Sequence, residues 1–105
     1  MPERDFSLNA AVDEGRIEAR LAGDLDMAAA FRLEPELDRL LAAPGVAALV
    51  LDLDGVEFVD SSGLGALLAV RDRATRIGAD FRIARASASV QRILELTGTR
   101  SVLGA

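Results

Sequence analysis

The chain has 105 residues, half of them hydrophobic, and sets twelve basic side chains, all arginine, against seventeen Asp and Glu for a formal charge of −5. That length supports one compact domain, spanning residues 1–105, and is too short for two. The acidic balance lacks the electrostatic footprint that phosphate backbones attract, which excludes nucleic acid as an expected partner.

No stretch approaches the ~18 consecutive apolar residues of a membrane span, and Met1-Pro2-Glu3-Arg4-Asp5 lacks the basic-then-apolar layout of a signal peptide. A soluble, cytoplasmic protein with no membrane partner is expected. The absence of cysteine and histidine removes disulfides, thiol catalysis, zinc sites and Ser-His arrangements. With lysine absent too and arginine always protonated, the candidate general bases shrink to Asp and Glu. An enzyme is not expected, nor a metal or cofactor.

In chain order, residues 6–12 and 16–22 read as two strands joined by Asp13-Glu14-Gly15; in the second, Ile17, Ala19 and Leu21 alternate with Arg16, Glu18 and Arg20. They are expected to pair as an antiparallel hairpin. After a loop at Gly23-Asp24-Leu25-Asp26, the segment 28–43 places Phe31, Leu37, Leu40 and Leu41 at helical spacing and stops at Pro44-Gly45. Pro35 inside it removes the hydrogen bond to the Phe31 carbonyl, which predicts a kink or a late start.

Residues 47–53 are apolar at nearly every position, the pattern of a central strand covered on both faces. Asp54-Gly55 reads as a turn and Glu57-Phe58-Val59 as a short extended return. A helix is predicted from about Ser62 to Ile77, with Leu64, Leu67 and Leu68 on its core stripe, Gly78 at its end, and Arg73 and Arg76 in its last turn. Arg71, Arg73 and Arg76 form a basic row that a solvated face explains. Phe81 and Ile83 mark another strand, Ser87 or Ser89 caps a last short helix with Val90, Ile93 and Leu94, and Gly98 closes it. The tail from Ser101 to Ala105 reads as a strand stub or a frayed end. The element order predicts an α/β fold: a mixed sheet with an N-terminal antiparallel hairpin, two right-handed βαβ crossovers, and helices packed on the sheet.

The string Asp60-Ser61-Ser62-Gly63-Leu64-Gly65 puts an aspartate and two hydroxyls at a strand-to-helix junction, followed by two glycines that let other backbone approach closely. Its plainest meaning is a helix N-cap. The same helix start also suits a phosphate carried on a serine. Asp24 and Asp26 are likewise explained by turn and capping chemistry ahead of the first helix.

The two motifs together, Gly23-Asp24-Leu25-Asp26 after a hairpin and Asp60-Ser61-Ser62-Gly63-Leu64-Gly65 after the strand 47–53, resemble the domain shared by sulfate transporters and anti-sigma factor antagonists (STAS). The resemblance extends over nearly the whole chain. It implies an anti-sigma factor antagonist that is phosphorylated on Ser61, the first serine of the string. Ser62 then shapes the helix start, and Asp24, Asp26, Asp60, Ser62 and Gly63 form the partner surface. The implied partners are an anti-sigma factor that is also a serine kinase of the GHKL ATPase type and a PP2C-type, metal-dependent phosphatase. The unphosphorylated form binds the kinase and releases the sigma factor; phosphorylation ends that binding. Two departures from the family pattern are the stop at Ala105, where many relatives run on through a last strand and helix, and Pro35 in the first helix.

Three rival readings differ in class. A non-catalytic scaffold subunit of a stressosome-like or lipid-transport complex would need no phosphorylation. A nucleotide-binding domain using the Ser-Ser-Gly-Leu-Gly loop as a phosphate cradle would want a P-loop lysine, which the chain does not have. The cytoplasmic domain of an anion transporter would come with a membrane segment.

Overall fold

The computed structural model describes residues 5–104. The reading of the first residues as lacking a signal layout, and Ala105 of the tail, lie outside the described residues.

Ser7–Asp13 (β1) and Arg16–Leu25 (β2) pair antiparallel, closing at Asp13 opposite Arg16. The two-residue loop between them, Glu14 and Gly15, has φ of 49° and 82°, the left-handed pair whose twist matches a tight hairpin. The Gly15 carbonyl accepts hydrogen bonds from the backbone N–H groups of Ala47 (2.8 Å) and Ala48 (3.2 Å). The hairpin tip therefore fixes the entry of the next strand. Helix α1 spans Met27–Leu41, strand β3 Ala48–Val59, helix α2 Ser61–Arg76, strand β4 Asp80–Ala86, helix α3 Ala88–Thr97 and helix α4 Arg100–Leu103. The sheet has the order β1-β2-β3-β4, with β2/β3 and β3/β4 parallel. The mixed α/β sheet with its antiparallel hairpin is thus as the sequence predicts.

Four local expectations are corrected. Strand β2 does not stop at residue 22: Gly23, Asp24 and Leu25 continue the parallel ladder opposite Val56, Phe58 and Val59. Nor does Asp54-Gly55 turn the chain. β3 carries an extra residue relative to β2 between the pairs Arg20↔Asp52 and Ala22↔Gly55, and another between Gly23↔Val56 and Asp24↔Phe58. These bulges absorb the Asp-Gly step, and the Asp54 N–H donates to the Asp52 carboxylate (3.0 Å). Helix α1 starts at Met27 and passes through Pro35 with no late start. The tail is helical, and Leu103 is fully buried.

The first half of β3 is buried on both faces at Leu49, Val50 and Leu51, as its apolar run predicts, but the two covers differ in kind. Leu49, Leu51 and Leu53 join Ile17, Ala19, Leu21 and Ile83 on the face packed by the helices. On the opposite face Val50 lies between Glu18 and Arg82, in a field with Arg16, Arg20 and Asp52. Long charged side chains, with their aliphatic stems, cover Val50 in place of a second helical layer. There Asp52 accepts from Arg85 Nη2 (2.9 Å) and Nε (3.2 Å) and faces Arg20 Nε at 3.7 Å. The hydrogen bond from Arg85 is the main force holding the Asp52 carboxyl below the usual carboxylate range, and the same pairing raises the Arg85 guanidinium.

The core is built by aliphatic rows. On α1, Ala29, Leu33, Leu37 and Leu41 form an i, i+4 row, joined by Ala30, against β2 and α2. Burial of each leucine in such a row is worth roughly 1.5–3 kcal/mol. Phe31, placed by the sequence on this stripe, lies off the row and is 73 % exposed. On α2, Leu64 and Leu67 are buried and Leu68 is partly so. Of the basic row on α2, Arg73 pairs with Asp38 of α1, and Arg76 with Asp72 one turn back. Ser87, not Ser89, caps α3: its oxygen accepts from the Val90 N–H (3.2 Å) and its hydroxyl donates to the Val56 carbonyl (2.5 Å). That second bond ties α3 to the second half of β3.

Candidate partner-binding site

β2 and β3 run parallel and end together, Leu25 opposite Val59. Each is followed at once by a helix whose N-cap is an aspartate in extended conformation: Asp26 for α1 and Asp60 for α2. The Asp26 carboxylate accepts from the Ala29 N–H at 3.0 Å, and that of Asp60 from the Gly63 N–H at 2.9 Å. Two helix N-termini, with their partial positive charge, therefore open side by side at one end of the sheet.

The two caps are joined through Leu25. Its carbonyl accepts the Asp60 N–H (3.3 Å), and the same peptide is packed directly by Gly63. A Cβ at position 63 would overlap the Leu25 carbonyl oxygen and stand 2.8 Å from Leu25 Cγ and 2.9 Å from its carbonyl carbon. Only glycine lets α2 start this close to the end of β2. Gly65, by contrast, has open space where a Cβ would be, so of the two glycines just one serves close approach.

This arrangement fixes the two serines. Ser61 is the first residue of α2, exposed, and its hydroxyl has no hydrogen-bond partner among the described residues. Ser62 is half-buried. Because Asp60 already holds the cap, the Ser61 hydroxyl is not consumed in structure. Asp24, Asp26 and Asp60 are half-buried, and Glu57 is exposed nearby in sequence. The structure thus brings Asp26, Asp60, Ser61, Ser62 and Gly63 to one end of the sheet, with Asp24 two residues before the Asp26 cap. Gly63 is buried, and its part is to position the serines.

Sequence reasoning missed two components. Leu25 is the hinge-point both caps share, and nothing in its residue type signals that. The other is exposed apolar side chains on the elements that lead into or out of this end: Met27 and Phe31 on α1, Phe58 near the end of β3, and Leu96 on α3, which shares a groove with Phe58. For Phe31 a signal existed, because it falls outside the 29-33-37-41 row. Among the described residues no cluster of three or more carboxylates is placed to hold a metal ion, and no helix is long and apolar enough to cross a membrane.

Comparison with known proteins converges on one family. The family model described as STAS domain matches residues 7–103. An anti-sigma F factor antagonist of Paenibacillus polymyxa is 26% identical over 89 residues, covering 85% of this chain and 76% of the relative. The crystal structure of an anti-sigma factor antagonist from Mycobacterium paratuberculosis superimposes with a TM-score of 0.81 at 25% identity, over 96% of this chain and 85% of that one. The Bacillus cell fate determinant SpoIIAA in its phosphorylated form shares the fold with a TM-score of 0.73 at 19% identity, over 96% and 89% of the two chains. With a match over almost its full length and the two motifs in their structural places, the chain belongs to the STAS domain family.

Proposed function

We propose that this protein is a cytoplasmic anti-sigma factor antagonist that works as a binding module without catalysis of its own. Its unphosphorylated form binds an anti-sigma factor serine kinase and frees the sigma factor. Phosphorylation of Ser61 abolishes that binding, and a PP2C-type phosphatase restores it.

The observation that carries this reading is the state of Ser61: exposed, first in its helix, and unbonded among the described residues because Asp60 caps α2 in its place. A hydroxyl so presented can enter a kinase cleft without disturbing the fold. Asp24, Asp26, Asp60 and Ser62 form the surrounding contact surface, and Gly63 sets the position of the serines from beneath. Two relatives described as anti-sigma factor antagonists, at 26% and 25% identity, support the reading.

A phosphate adds about −1.5 to −2 charges beside carboxylates at positions 24, 26 and 60. Against a partner surface fitted to a neutral hydroxyl, the added group brings repulsion and desolvation. A loss of about 3–4 kcal/mol weakens binding roughly 100- to 1000-fold, enough to release a complex at fixed concentration.

The test is incubation with GHKL-type anti-sigma kinases and ATP, mapping of phosphate by mass spectrometry, and titration of the kinase against the unmodified, phosphorylated and Ser61→Asp forms. The expected result is a single phosphate on Ser61, loss of affinity on phosphorylation, partial loss in Ser61→Asp and unswitched binding by Ser61→Ala. Undiminished labelling of Ser61→Ala, or equal affinity of the modified and unmodified forms, contradicts the reading.

A further inference from the structure

The exposed apolar side chains of this protein are not scattered evenly. Of the seven large ones among the described residues, Phe58 and Leu96 line one groove together, while Met27 and Phe31 lie on α1. Phe58, Val59, Ile93 and Leu96 line one groove of about 200 Å³ between the end of β3 and α3, rimmed by Glu57, Ser89 and Arg92. The open face of the sheet, by contrast, is lined largely by ion-paired charges at Arg16, Glu18, Arg20, Asp52 and Arg85. Clustered apolar exposure of this kind marks an interaction surface, whereas isolated apolar residues do not.

Two features tie the groove to the serine. Phe58 lies on the strand that delivers Asp60 and Ser61, with only Val59 and Asp60 between Phe58 and the serine. The Ser87 hydroxyl bond to the Val56 carbonyl fixes α3 against that same strand segment, so the groove is rigidly placed relative to the phosphorylation site. The groove is therefore continuous with the surface that the proposed function presents to the kinase. Its lining, four apolar side chains with one acid, one base and one hydroxyl, suits a single apolar side chain with a polar surround.

We propose that the groove formed by Phe58, Ile93 and Leu96 receives an apolar side chain of the same anti-sigma kinase, as an anchor independent of the phosphorylation state. This rests on the reading of Ser61 as the switch. Leu96 and Ser61 sit on different helices, and an anchor separate from the switch requires their effects on affinity to multiply. The groove sets how tightly both forms bind; Ser61 sets the ratio between them.

The test uses the full chain and a purified GHKL-type kinase that labels Ser61, titrated against wild type, Leu96→Glu, Leu96→Ala and Ser61→Asp. Leu96 is 74 % exposed on a helix, and Glu and Ala are good helix formers, so folding should be retained; a melting curve checks it. The expected result is at least a tenfold loss of affinity in Leu96→Glu and a several-fold loss in Leu96→Ala. The same factors should appear in the Ser61→Asp background, leaving the switch ratio unchanged. If wild type and Ser61→Asp differ as expected but Leu96→Glu binds within twofold of wild type, the groove is not an anchor while the switch stands. If wild type binds no kinase, both fall. A wild-type dimer in sedimentation that Leu96→Glu dissociates, with kinase affinity unaffected, assigns the groove to a second copy and overturns the proposal.

Discussion

Gly63 and Gly65 lie two residues apart in the first turns of α2, and replacing each by alanine should move stability in opposite directions. At Gly65 the new methyl enters open space, and the change from glycine to the best helix former contributes about 0.5–1 kcal/mol of stability. At Gly63 the same intrinsic gain is available, but the methyl overlaps the Leu25 carbonyl oxygen. Its nearest obstacle is backbone in a paired strand, which cannot swing aside as a side-chain tip would. The start of α2 must retreat, which costs about 1–3 kcal/mol as overpacking and weakens two hydrogen bonds worth roughly 0.5–1.5 kcal/mol each. Those are the Asp60 N–H to Leu25 and the Gly63 N–H to Asp60. After subtracting the helix gain, Gly63→Ala should lose about 1–3 kcal/mol. Thermal or urea unfolding followed by circular dichroism reads both variants, with roughly 4 °C or more expected per kcal/mol at this size. A neutral or stabilising Gly63→Ala, or shifts of the same sign at both positions, refutes the claim that close approach to Leu25 fixes the start of α2.

Two further outcomes follow from the caps and the sheet face. Asp60→Ala should cost about 1 kcal/mol in urea unfolding while Asp60→Asn, which keeps an acceptor for the Gly63 N–H, costs much less; equal losses mean that charge and not capping is what Asp60 supplies. Because the folded-state pKa of Asp52 is depressed, its contribution is present above the ordinary carboxylate pKa and is lost as pH falls through the lower, folded value. Asp52→Asn should therefore lower the melting temperature at neutral pH and flatten its decline below about pH 4, and an unchanged acid limb of the melting-temperature profile counts against the Arg85–Asp52 pairing.

Much of this architecture is legible in the sequence because local signals and tertiary demands agree. The alternation of Ile17, Ala19 and Leu21 survives folding since β2 has one dry face and one wet one. The apolar run of β3 marks burial on both faces but not what supplies it: Val50 is buried by charged neighbours from adjacent strands, and strand neighbours cannot be read from a single segment. Asp54-Gly55 has the composition of a turn, yet two bulges let β3 keep pairing with β2 through it. At the site, the Asp-Ser-Ser-Gly string marks the helix start directly. Its partner across the sheet, Leu25, is invisible until the register of β2 against β3 is known. Phe31 was legible in principle, since the buried row on α1 excludes it.

Under the proposed function, the geometry of the two caps bears on where a phosphate at Ser61 would sit. The natural anion positions at both helix starts are already filled by the carboxylates of Asp26 and Asp60, each bonded to an N–H of its own first turn. A phosphate on Ser61 could take over the cap only by displacing Asp60 from the Gly63 N–H. With Asp60 in place, the phosphate projects outward from the first residue of α2. The helix dipole still favours it there, by about 0.3–1 kcal/mol at an exposed position, which offsets part of the repulsion from Asp60. Internal stability is therefore expected to change little on modification. The surface changes a great deal, since the added charge lands on an end of the molecule bordered by Asp24, Asp26, Glu57 and Asp60 and edged with exposed apolar side chains. A caged hydroxyl would have to rearrange the fold to signal. An unbonded one beside an occupied cap alters only what a partner meets.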